Sequence, residues 1–121
     1  MINKNILRHA HHEGFSEGEL YGAYKLFLGT LFSEIRLKII NLLRNRKLNV
    51  SEITKELRLD QTVVSHNLAR LKHHGFLICE SEGKYRYYKI NEETINPLMD
   101  LIDKHMGQYC IHILHEMREK K

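Results

Sequence analysis

The chain has 121 residues, 42% of them hydrophobic and 28% charged, and a formal net charge of +4. That length holds one domain with a modest core, and the ordinary apolar content excludes a disordered or fibrous chain. Two cysteines exclude a disulfide framework, no signal peptide or long apolar run is visible, and the positive balance favours a polyanionic partner, so the expectation is a cytoplasmic protein.

Residues 1–15 are polar, carry His9, His11 and His12, and read as a flexible His-rich arm; the folded domain is expected over residues 16–119. Ser16 and Glu19 have the spacing of a capping box. The helix that follows carries Leu20, Tyr24, Phe27, Leu28 and Leu31 on one face, and a second helix carries Ile35, Ile39, Leu42 and Leu43. Residues 44–49 form a polar connection. Residues 50–57 make a short helix, with Ser51 as its expected cap and Ile53 and Leu57 as its buried pair.

The next helix is the most informative stretch. It starts on Asp60, a capping residue, and stops at Gly75, a helix terminator. Val64, Leu68 and Leu71 recur at i, i+4 and i+7, so one face packs inward. The other face carries Thr62, Ser65, His66 and Ala69, short or polar side chains that let a helix approach base edges closely. Two short helices joined by about three or four residues are the signature of a helix-turn-helix. Residues 76–80 and 85–90 then read as strands around a Gly-containing loop, 81–84, which makes a hairpin wing. Gln61, Thr62, Ser65 and His66 are the candidate groups for bases or phosphates, and Lys84 and Arg86 are the candidate phosphate contacts of the wing.

After the wing, Asn96 is the expected cap and Pro97 the expected first residue of a long last helix. At ~100° per residue, Leu98, Ile102, Met106, Tyr109, Ile113 and Met117 fall on one apolar stripe with Cys110 on its flank. Such a stripe packs on its own domain or on a second copy. The expected fold class is mainly α with a β-hairpin wing, a winged helix-turn-helix.

From about residue 27 to residue 90 the chain resembles the arsenic-repressor (ArsR/SmtB) family of small regulators. Residues 33–43 resemble the family's second helix, with Glu34 where a proline is common. Residues 59–77 resemble its recognition segment, residues 64–68 the core of that segment, and residues 85–90 its wing. The resemblance implies a homodimer built from the first and last helices, which would set two recognition helices on an inverted-repeat operator in double-stranded DNA.

Nine histidines are many for this length. On a regular helix His105, His112, Glu116 and Glu119 fall within roughly one sixth of the circumference, beside the apolar stripe. Imidazole and carboxylate together suit zinc, nickel, cobalt or manganese. In several members of the resembled family a metal lies between the two last helices, held by an Asp-x-His pair from one copy and, spaced after ten residues, a His-x-x-Glu or His-x-x-His pair from the other. Asp103 and His105 match the first pair. Glu116 and Glu119 stand at the second, and His115 is one residue early. The alternatives are therefore a site on Glu116 and Glu119, a site shifted to His112 and His115, recruitment of the arm histidines (ligand donors in some nickel sensors of the family), or a decayed site. A solvated helix face explains the same residues without a metal.

The family's Cys-x-Cys site on the helix before the turn is absent, since residues 48–51 are Leu, Asn, Val and Ser. Cys79 and Cys110 read as small apolar residues, and the second helix lacks the cysteine that relatives use in sensing sulfur species. His73 and His74 lie toward the C-terminus of the recognition helix, where the dipole favours cations, and are not read as ligands. There is no Gly-rich phosphate loop, nucleophile elbow or His-Glu-x-x-His, so the chain is not read as an enzyme. Three readings follow: a dimeric transcriptional repressor released from DNA by a transition-metal ion; a regulator of the same fold that senses no metal and is redox-responsive or ligand-independent; and a protein-interaction module that has lost DNA binding.

Overall fold

Local chemistry decides where most elements begin and end. In a computed structural model that describes residues 1–119, the chain runs α1 (Lys4–His12), α2 (Glu17–Leu31), α3 (Glu34–Leu42), α4 (Val50–Leu57), α5 (Gln61–His73), β1 (Leu77–Glu82), β2 (Tyr85–Ile90), α6 (Ile95–His105), a π-helical turn (Met106–Cys110) and α7 (Ile111–Glu119). This is the expected mainly helical winged helix-turn-helix. Ser16 caps α2 through a complete box: its Oγ accepts from the Glu19 N–H at 3.1 Å, and its own N–H donates to Glu19 Oε1 at 3.2 Å. Asp60 caps α5, accepting from the Thr62 N–H at 3.1 Å. Gly75 ends that helix with φ +79°, a conformation that costs a side-chain-bearing residue more than glycine.

Two caps differ from the sequence-based expectation. Asn49, and not Ser51, caps α4: Asn49 Oδ1 accepts from the Glu52 N–H at 2.9 Å while Glu52 accepts from the Asn49 N–H at 3.0 Å. Glu52 stands three residues after Asn49 and completes the box, whereas Thr54 stands three after Ser51 and cannot. The last helix starts at Ile95, so Asn96 is not its cap and Pro97 is its third residue. A proline fits there because first-turn N–H groups have no intrahelical acceptor.

The segment read as a flexible arm contains helix α1. Asn3 Oδ1 accepts from the Asn5 N–H at 2.8 Å, Ile2 and Ala10 are buried, and Gly14 at φ +88° turns the chain so that α1 lies on α2. Ile2, Ile6 and Ala10 recur every four residues, a helical line masked by the surrounding polar residues.

The core lies where α3, α4, α5 and the wing meet. Ile39, Ile40, Leu43, Ile53, Val64, Leu68, Leu71 and Phe76 are fully buried there. Phe76, between α5 and β1, stacks on Phe27 of α2 with ring centroids 4.9 Å apart. The hairpin pairs Leu77 with Ile90 and Glu82 with Tyr85, so its loop is only Gly83 and Lys84, shorter than the four residues expected. Gly83 takes φ +61°, as a two-residue hairpin loop with glycine first requires. The wing is anchored to the core by a two-bond bridge: the Leu48 N–H donates to the Tyr88 carbonyl at 3.1 Å and the Tyr88 N–H to the Leu48 carbonyl at 2.8 Å.

The stripe expected along one continuous last helix is split. Leu98 and Ile102 pack on the chain's own core with Ile95 and Met99, while Met106, Tyr109, Ile113 and Met117 are exposed. The π turn adds about one residue to a helical turn, which slips the face beyond it by roughly 100°. The register assumed for a regular helix does not carry across residues 106–110.

Candidate nucleic-acid interface and dimer surface

Helix α5 buries Val64, Asn67, Leu68 and Leu71 and leaves Gln61, Thr62, Ser65, His66 and Ala69 exposed. The residues of its first turns, with Asp60, border a shallow open recess. Every candidate base-contacting side chain thus lies on the free face of α5, near its N-terminus, the end that helix-turn-helix proteins direct at bases. The wing tip carries Lys84, whose Nζ lies 5.4 Å from the Tyr85 ring centroid, and Arg86, exposed opposite Ser81. Neither forms an ion pair among the described residues. Other charges of the hairpin are satisfied instead. Lys89 reaches Glu80 at 2.7 Å and Lys47 pairs with both Glu80 and Glu82; Lys89 first, then Lys47, holds the Glu80 carboxyl below the usual carboxylate range.

Two more cations border this surface. Arg58 sits exposed in the turn between α4 and α5 at φ +54°. Arg70 is exposed on α5, one turn beyond His66. Sequence reasoning did not single them out; the signal was there in the +4 spacing from His66 to Arg70, which puts both on one helical face.

A second surface is apolar. Exposed large hydrophobic residues concentrate on two segments: Phe15, Tyr21, Tyr24, Leu26, Leu28 and Phe32 around α2, and Leu101, Met106, Tyr109, Ile113, Leu114 and Met117 from α6 to α7. All described residues of α7 are exposed.

The candidate metal donors lie on this same C-terminal segment. Asp103, His105, His112, His115, Glu116 and Glu119 are all exposed, and among the described residues no three metal-ligating side chains of one chain converge. Asp103 has another partner. Arg44, at the end of α3, donates to Asp103 Oδ2 at 2.5 Å and to Asp100 Oδ1 at 2.6 Å. The hydrogen bond to Asp103, and next that to Asp100, raises the Arg44 guanidinium above its ordinary pKa. His105 lies against the Tyr109 ring at 4.9 Å. The donor set does not fit a metal site within one chain. Cys79 and Cys110 are both free and half-buried, and no described helix is long and apolar enough to cross a membrane.

Residues 33–78 match the family model described as bacterial regulatory protein, arsR family. The chain is 32% identical over 78 residues to the transcriptional repressor PagR of Bacillus anthracis, a match covering 63% of this chain and 77% of that protein. It is 42% identical over 53 residues to the HTH-type transcriptional regulator YbzH of Bacillus subtilis, a match covering 44% of this chain and about half, 53%, of that relative. Among solved structures it is similar to the homodimeric winged helix-turn-helix DNA-binding domain of Mb0332 from Mycobacterium bovis, with TM-score 0.73 and 27% identity over 82% of this chain and 94% of that one.

Proposed function

The chain belongs to the ArsR family of bacterial regulatory proteins, and from that premise we propose that it is a sequence-specific DNA-binding repressor that works as a homodimer on an inverted-repeat operator. The observation that carries this reading is the free face of α5, where Gln61, Thr62, Ser65 and His66 are exposed while the opposite face is locked into the core. Side chains of this size and polarity reach base edges, and the cations of the wing and of Arg58 and Arg70 supply phosphate contacts. The large apolar side chains that α2 and α6–α7 leave exposed support pairing with a second copy. Repression, as the direction of regulation, draws on the similarity to PagR, a transcriptional repressor.

The test is a gel shift on the DNA upstream of the chain's own gene. Ser65→Ala with His66→Ala is expected to weaken specific binding by about 1–3 kcal/mol per lost base contact and to relax sequence preference. Lys84→Ala with Arg86→Ala is expected to weaken binding to all sequences alike and to flatten its salt dependence. A wing variant that changes sequence preference while the helix variant does not would reverse these roles.

Release by a transition-metal ion is the finer part of the proposal. It is supported by the donor chemistry of His105, His112, His115, Glu116 and Glu119, and any ion would have to be shared between two copies. A bound ion would contribute the difference between its affinities for the two arrangements of the dimer, with ~1–3 kcal/mol changing DNA affinity roughly 5–150-fold. The Arg44–Asp103 bond favours the competing reading, a regulator of this fold that senses no metal, because Arg44 already holds Asp103 Oδ2 and leaves only Oδ1 for an ion. Titration of the dimer with zinc, nickel and cobalt separates the two. The metal reading expects one to two ions per dimer, on the order of the family's paired sites, binding that weakens below about pH 6.5 as histidine protonates, and loss of most affinity in His105→Ala. Binding that survives that substitution moves the site elsewhere; no binding leaves the metal-free regulator.

A further inference from the structure

Arg36 stands at the junction of three helices, and all of its hydrogen-bond partners are neutral oxygens. Its Nε donates to the Thr30 carbonyl at 2.6 Å and its Nη2 to the Gly29 carbonyl at 3.3 Å. Those carbonyls belong to the last turn of α2, where backbone acceptors run out of intrahelical donors and the helix dipole favours a cation. Its Nη1 donates to Asn67 Oδ1 at 3.2 Å. Asn67 is one of only two buried polar residues among those described. Its Nδ2 in turn donates to the Val63 carbonyl at 2.8 Å, back along α5. Arginine has donors only, so Asn67 must turn its oxygen toward Arg36 and its amide toward Val63. Both ends of the Asn67 side chain are therefore used. Thr30 is itself held, fully buried, with its hydroxyl donating to the Leu26 carbonyl at 2.8 Å.

The rest of α2 carries the exposed apolar side chains of the dimer surface, and the other side of α5 carries the DNA-reading face. We propose that Arg36 is a positioning residue for DNA recognition: through Asn67 it fixes the rotation of α5 against the end of α2, so that the geometry of the dimer reaches the recognition helix. This rests on the DNA-binding reading above. A guanidinium suits the task because its planar fork reaches acceptors on two helices at once. An ammonium on a lysine stem keeps the charge but presents a single point of donation. Arg36 is half-buried, and burial, and next the like charge of Arg70, hold its guanidinium below its ordinary pKa.

The experiment compares the full-length wild type with Arg36→Lys, Asn67→Ala and the double variant. Three measurements are made: amide hydrogen exchange without DNA, affinity for the upstream DNA and for a scrambled duplex, and the salt dependence of both. Arg36→Lys is expected to remain a folded dimer and to lose roughly tenfold in the ratio of specific to scrambled binding, about one decade for ~1.4 kcal/mol. Scrambled-duplex affinity and salt slope should not change, because the charge is kept and Arg36 touches no phosphate. Amide exchange should quicken in the first two turns of α5. Asn67→Ala should act in the same direction, and the double variant should be no worse than the weaker single, since both remove one link. A folded Arg36→Lys dimer with unchanged ratio and exchange overturns the proposal. If Arg36→Lys does not fold, Asn67→Ala decides by the same two readouts. If the wild type prefers no DNA, the DNA reading fails, while the exchange data still show whether Arg36 holds α5.

Discussion

Ile113→Glu is expected to convert a micromolar dimer into monomers and to lower affinity for an inverted-repeat site by about a hundredfold or more. Ile113 lies on α7, whose described residues are all exposed, among Tyr109, Leu114 and Met117. If that surface meets a second copy, a carboxylate there is buried against apolar neighbours without a partner, a strongly unfavourable placement. The effect on DNA follows from linkage of sites. A dimer engages its second half-site at a high effective concentration, worth about 10²–10⁴ in affinity, and a monomer loses that factor entirely. The folded core does not include α7, so thermal stability of the monomer should suffer little from the substitution itself. Sedimentation of both proteins, with gel shifts on full and half sites, checks the prediction. A wild type that sediments as a monomer, or a variant that stays dimeric, removes α7 from the interface.

Phe76→Ala is expected to cost about 3–5 kcal/mol of stability, the range for truncating a buried aromatic. For a domain of this size that is roughly a 10–20 °C fall in melting temperature. Phe76 is completely buried and stacks on Phe27. Its N–H donates to the Leu71 carbonyl at 2.9 Å and its carbonyl accepts from the Asn91 N–H at 3.0 Å. It therefore fastens the end of the recognition helix, the start of the wing and helix α2 at one point. A cavity there should loosen the wing relative to α5 as well as lowering stability. Thermal or urea unfolding of the variant measures the first effect, and a drop in DNA affinity at temperatures where the variant is still folded measures the second. A loss below about 1 kcal/mol would mean that the site collapses around the smaller side chain.

Much of the helix-turn-helix was legible because its signals are local. Asp60, the Val64–Leu68–Leu71 spacing and Gly75 mark α5 within sixteen residues of chain, and each acts through the backbone beside it or through one helical face. The wing was legible for the same reason, through alternating strands around Gly83. The cap at Asn49 could have been read from Glu52, three residues on. Helix α1 hid behind its polar composition, and its one buried residue, Ala10, lies on a helix that packs on α2.

What the residues determined by themselves was the order of elements from α2 to the wing and the face of α5 left free of the core, since periodicity and capping are properties of neighbours in sequence. The tertiary structure alone decided the rest. Arg36 meets Asn67 across 31 residues and Arg44 meets Asp103 across 59, and no pattern within a helix announces either bond. The π turn at Met106–Cys110 shifts the register on which the donor stripe had been drawn, and a helical wheel assumes that register in advance. Such contacts arise only when packing brings distant helices within reach, and they fix both what holds the recognition helix in place and which carboxylate is already engaged.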